Sequence, residues 1–260
     1  MYNIAWLREK VGTTTALDYQ YFWGHIPASA DKVDQSGLSQ WYESPFIVNG
    51  RTYPTAEHWM MAHKALLFND RDAYGKIMAA ATPGEAKAIG REVKNFSAEI
   101  WEENAYELVI AGNIHKFNQH PSLSDFLLNT GDSVLVEASP TDTIWGIGLA
   151  KDNPDSANVS KWKGSNLLGF ALMEARDFLR DFGGFEALNI PADLEMPWDA
   201  HPDIPPMDIF WRMGAGESII DRIAAFYSQL DSRQQVIFQL THPPLGEWLD
   251  FYADEEEHIV

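Results

Sequence analysis

The sequence predicts a mainly α-helical protein with a minor β component: a compact helical domain over residues 1–183, then a C-terminal helical extension over 184–260. Three observations predict this. Trp101, Ala105, Leu108, Ala111 and His115 recur at helical spacing through residues 97–118. Thr55, with Pro54 before it, is an N-cap candidate for an apolar run that reaches Lys64. Residues that favour strands gather only in short stretches.

In chain order, residues before about 18 read as a short helix or arm. From Tyr19 to Tyr53 come short apolar stretches broken by turn residues. Within them, Phe46-Ile47-Val48-Asn49-Gly50-Arg51-Thr52-Tyr53 places an Asn-Gly turn between β-formers, a hairpin signal. The Glu57 helix follows, then a helix after Pro83 that runs from Glu85 to Gly90, then the 97–118 helix and another opened by Pro121. Leu135–Ala138 is a short strand after the Gly131-Asp132 turn, and Asn166 to Asp181 is one more helix closed by Gly183-Gly184. Ile190 to Met207 is rich in Pro and acidic residues and reads as a linker. Three short helices are expected beyond it, over 218–230, 232–240 and 245–252.

Composition narrows the function. The chain has 260 residues, ten tryptophans and no cysteine. Thiolate metal sites, disulfides and a cysteine nucleophile are therefore excluded. The opening residues lack the apolar core of a signal peptide, and no run approaches the roughly 18 apolar residues of a membrane span. A cytoplasmic protein with no membrane partner is expected. A formal net charge of −19 opposes a sequence-blind grip on nucleic acid. The basic residues concentrate in the first two thirds, whereas the end of the chain reads Asp254-Glu255-Glu256-Glu257.

The most informative stretch is Pro54-Thr55-Ala56-Glu57-His58-Trp59-Met60-Met61-Ala62-His63-Lys64. At about 100° per residue, Glu57, Met61 and Lys64 share a face. Glu57 and Lys64 are on the order of 10 Å apart along the axis, too far for a local ion pair but suited to converging on one ligand. Solvated surface charges are the commoner reading of such residues. Here, however, Trp59, Met60, Met61 and Ala62 leave no polar face between the two. Asp142 and Trp145-Gly146 follow in a D-x-x-W-G turn; Trp145 beside a glycine can present a ring to a base or sugar. Glu137, at the preceding strand, is either a pocket carboxylate or a surface position. Asn166 is first an N-cap candidate, and a helix N-terminus can also face an anion. Lys161 and Lys163 lie just upstream and can add phosphate affinity. The eight histidines form no metal-ligand array, and neither a P-loop, a Rossmann glycine fingerprint nor a G-x-S-x-G elbow is present. No cofactor and no metal is expected.

Taken together, the blocks Leu38–Tyr42, Thr55–Trp59 with Lys64, Leu127–Asp132, Glu137–Ser139, Asp142–Gly148 and Gly164–Gly169 with Arg176 resemble the NADAR superfamily, also called YbiA-like. Their order and spacing match over roughly residues 20–180. The extension lies outside the resemblance, and Phe22-Trp23-Gly24 and the insertion before Leu38 depart from its simplest members. The resemblance implies a compact, YbiA-like helical domain with N-glycosidase activity. It implies two substrate classes: ADP-ribose attached to guanine in nucleic acid, and ribosylamino-pyrimidine phosphates of riboflavin biosynthesis.

Both substrates join ribose C1 to an exocyclic amine. Such a centre can open to an imine, which makes Lys64 a candidate nucleophile. Glu57 is then the acid/base group, Asp142 shares its work, and Trp145, Gly146, Glu137, Asn166 and Lys163 bind substrate. In the competing version Lys64 only pairs with phosphate while Glu57 activates water. An ADP-ribose-binding module without turnover is the non-enzymatic alternative. The extension is read as a cap over the pocket, a surface for self-association or a protein partner, or further helices extending the core.

Overall fold

The computed structural model describes residues 1–13, 17–29 and 32–253. The Asp254–Glu257 run and His258 lie outside them. The fold is mainly α with a minor β component, as the sequence predicts. Its elements are α1 (Ile4–Thr13), β1 (Tyr19–Phe22), β2 (Phe46–Val48), β3 (Arg51–Tyr53), α2 (Ala56–Leu67), α3 (Arg71–Ala79), α4 (Pro83–Arg91) and α5 (Ala98–Gln119). These are followed by α6 (Pro121–Leu128), β4 (Val134–Glu137), α7 (Leu167–Phe182), α8 (Pro197–Ala200), α9 (Ala215–Tyr227) and α10 (Ser232–Thr241). Among the described residues no helix is long and apolar enough to cross a membrane.

α2 is the central helix. Thr55 caps it, its hydroxyl accepting the His58 N–H, and residues Ala56–His63, Ala65 and Leu66 are buried all round. A helix without a polar face must be enclosed; α3, α4 and α5 enclose it. Gly112 lets α5 come close: a Cβ there would lie 2.3 Å from Trp59 Cδ1. α5 also packs along α7. The β2–β3 hairpin turns on Asn49 and Gly50, both at positive φ (50° and 73°), as a two-residue primed turn requires.

Four elements differ from the sequence expectation, one of them α8, a single turn inside the stretch expected to be a linker. Tyr19–Phe22 is a strand that pairs in parallel with β4, from Tyr19↔Val134 to Phe22↔Glu137. Its partner is distant in sequence, so no local pattern marks it. α3 was not expected, Gly75 standing in the middle of its sequence; Asp70 anchors it by accepting the N–H groups of Ala73 and Lys94 at 3.0 and 2.9 Å. The helix expected over 245–252 is only a 3₁₀ turn, Gly246–Trp248, opened by Gly246 at φ +59°.

The extension builds a second apolar cluster around Trp198, Trp211, Ile223, Tyr227 and Phe238. Leu66 of α2 and Leu108 of α5 belong to the same cluster. Polar ties add to the seam: Asn49 Nδ2 donates to the Thr241 carbonyl at 3.0 Å, and His115 Nε2 lies 3.0 Å from the Leu240 carbonyl.

Candidate active site

A cleft of about 240 Å³ opens between one face of α2, one face of α4, the Ser39–Trp41 segment and the loop that follows β4. Glu57, Lys64, Glu137, Asp142 and Trp145 all line it. Five residues singled out from the sequence therefore converge on one space.

Glu57 enters from the first turn of α2 and is 4% exposed. Its N–H donates to the Gln40 carbonyl at 3.0 Å. Burial raises its carboxyl above the usual range, and the Asp142 charge adds to this; Lys87, a hydrogen bond from Trp41 and Arg91 act the other way. Glu137 ends β4. Its Oε2 is buried and has no hydrogen-bond partner. Burial first, then Asp142 and Glu57, push its carboxyl up to about 8 against the pull of Lys87. Asp142 is oriented by its own turn: Oδ1 accepts the Ile144 N–H at 2.9 Å and the Trp145 N–H at 2.7 Å. Burial and the neighbouring like charges thus push the Glu57 and Glu137 carboxyls the same way.

Lys64 lies two turns along α2 from Glu57. Its Nζ sits 4.2 Å from the Phe96 ring centroid and 5.5 Å from that of Trp101. It is half-buried, and burial alone lowers its pKa. A lysine held among rings instead of carboxylates keeps a larger neutral fraction, as a nucleophilic amine needs.

The remaining expected binding residues occupy other places. Gly146 is buried behind the cleft, where a Cβ would come within 2.9 Å of the Glu137 carbonyl, so it serves close packing. Asn166 stands at the N-cap position of α7 at φ +56°, yet its side chain does not cap. It bridges back to β4, accepting the Glu137 N–H and donating to the Leu135 carbonyl, both at 2.9 Å. It thus fixes Glu137 instead of lining the space. Lys163 is exposed and lies outside the cleft lining.

Trp41, Lys87 and Arg91 line the cleft and were not singled out as site residues from the sequence. Lys87 Nζ is 5.9 Å from the Trp41 ring centroid. The available signal was the i, i+4 spacing of Lys87 and Arg91 on the helix after Pro83, which sets two cations on one face. Among the described residues no group of three or more His, Asp or Glu side chains is arranged to hold a metal ion.

Comparison with known proteins identifies the relatives of this chain. N-glycosidase R617 of Acanthamoeba polyphaga mimivirus is 42% identical over 164 residues, 61% of this chain and 95% of that protein. The maize chloroplastic riboflavin biosynthesis protein PYRR is 36% identical over 132 residues, 48% of this chain but 19% of that protein. The NMR structure of Escherichia coli YbiA superposes with a TM-score of 0.52 at 27% identity, over 65% of this chain and 88% of that one. The NADAR domain model matches residues 21–180, the part of the chain that builds the cleft, and the chain belongs to the NADAR domain family.

Proposed function

We propose that the cleft severs ribose C1 from an exocyclic amine and that its substrate is ADP-ribose attached to guanine in nucleic acid. At the coarser level the chain is a hydrolase of N-glycosyl bonds, in line with the N-glycosidase relatives it matches across most of their length. The observation that carries the mechanism is the pairing, in one cleft, of buried carboxyl groups with an amine whose proton is loosened by burial.

The bond from C1 to the ring oxygen breaks, that oxygen takes up the proton of the exocyclic N–H, and the neutral Lys64 amine adds to the imine carbon so formed. The C1–N bond to the base breaks as a carboxyl proton from Glu57 or Glu137 passes to the departing amine. Water then adds to the lysine–sugar imine. The carboxylate left behind takes up a proton, and the free sugar and the Lys64 amine are regenerated. Burial raises the other two carboxyls, and the Asp142 charge adds to that rise. Trp145 offers its ring to the base or sugar. Lys87 and Arg91 stand on the α4 wall and meet the phosphates, which leaves Lys64 free for chemistry.

The maize relative's name favours a second reading, a ribosylamino-pyrimidine phosphate as substrate. A side-by-side assay on ADP-ribosylated guanine DNA and on such a phosphate separates the two. Borohydride added during turnover is expected to leave a sugar adduct on Lys64. Steady turnover with no trapped adduct rules out the imine route and leaves Glu57 activating water. Tight ADP-ribose binding without release of free base from either substrate points to a binding module.

A further inference from the structure

Lys116 is wholly buried on α5 and owes its lowered pKa to burial alone, with no neighbouring charge contributing. Its Nζ donates to the carbonyls of Gly37 at 2.7 Å and Ser39 at 2.8 Å. One turn earlier on the same helix, the wholly buried Asn113 accepts from Gln40 Nε2 at 3.0 Å, and its own amide donates to the Val109 carbonyl at 2.8 Å. The Gln40 carbonyl in turn holds the Glu57 N–H. Ser39, Gln40 and Trp41 form one wall of the cleft. A buried ammonium is costly where an apolar side chain of equal length would fill the space. What the lysine supplies and a methionine does not is donors aimed at two carbonyls, one in the short 3₁₀ turn Gln35–Leu38 and one at Ser39, where that turn ends.

We infer that Lys116 and Asn113 are positioning residues: from the far side of the core they fix the Ser39–Trp41 wall against Glu57. Their effect on rate rests on the N-glycosidase reading, but their effect on the wall can be measured without any substrate.

The test is Lys116→Met in the full chain, with amide hydrogen exchange measured beside kcat and KM on whichever N-glycoside the wild type cleaves. The Ser39, Trp41, Tyr42 and Glu57 amides, which are hydrogen-bonded in the structure, are expected to exchange at least tenfold faster while α7 amides keep their rates. kcat is expected to fall tenfold or more with KM changed less than threefold. Unchanged exchange in the wall, or an equal rise across α7, overturns the inference whatever the activity. Faster exchange confined to the wall in a protein whose wild type cleaves no N-glycoside leaves the positioning role standing and removes the functional reading instead. If Lys116→Met does not fold, Asn113→Ala cuts the adjacent Gln40 tether with Lys116 in place, and the same outcomes decide.

Discussion

Glu137→Gln is expected to make the protein less active and, at neutral pH and above, more stable. Glu137 holds its proton up to about 8, against 4.5 for a free glutamate. A carboxyl raised in the folded state gives its full stability below 4.5, and that contribution is lost as pH rises toward the folded value. Between 4.5 and pH 7 lie about 2.5 pH units, or ~3 kcal/mol at 1.36 kcal/mol per unit. Glu137 is only half-buried at the residue level, so solvent screening reduces this to about 2 kcal/mol. The amide is free of the titration penalty, but in place of the orphan Oε2 it sets an N–H without a partner, which costs about 1 kcal/mol. The net is ~1 kcal/mol in favour of the variant at pH 7, or about 3 °C in Tm for a chain of this size. Near pH 4.5 the titration gain is gone, only the amide cost remains, and the variant is expected to melt below the wild type. Thermal melts of both proteins from pH 4.5 to 8.5 read this crossover directly. A Tm difference that does not change with pH would refute a buried, protonated Glu137.

Three further outcomes follow from the same structure. Glu57→Gln is expected to fold normally and lose about two or more orders of magnitude in kcat, the usual loss for an acid/base group; a near wild-type rate would reassign that role. His63, His115 and His242 sit at the seam between core and extension, and burial lowers each to about 4 from 6.5. Their stability contribution is therefore complete above 6.5 and lost as pH falls toward 4, by about 2 kcal/mol each at pH 5; a Tm flat across that window would contradict neutral histidines there. Gly112→Ala places a methyl 2.3 Å from a fully buried Trp59 whose indole N–H is committed to the Leu108 carbonyl, so ~2 kcal/mol of stability should be lost; an unchanged denaturant midpoint would show that Trp59 has room to move.

Much of the fold was legible because its signals are local. The Asn49-Gly50 turn, the Thr55 cap and the spacing of Trp101, Ala105 and Leu108 each act within a few residues. The β1–β4 pairing was not legible, since parallel strands meet only after the intervening helices have packed. The site divides in the same way. Glu57 and Lys64 share one helix, so their convergence follows from helical pitch. Lys87 and Arg91 reach the cleft only because Gly90, where any Cβ would collide with Met61, lets α4 lie close to α2. Lys163 shows the converse: it neighbours a site motif in sequence, yet the turn that binds its N–H to the Ile147 carbonyl sits away from the cleft.

Trp101 has two duties. It packs against the second apolar cluster, which Leu66 and Leu108 share with the extension, and its indole also flanks Lys64 on the cleft side. The extension is thus the outer masonry of a wall whose inner face touches the Lys64 amine. A chain cut back to the NADAR domain would keep every residue that lines the cleft, but the ring beside Lys64 would lose part of its backing.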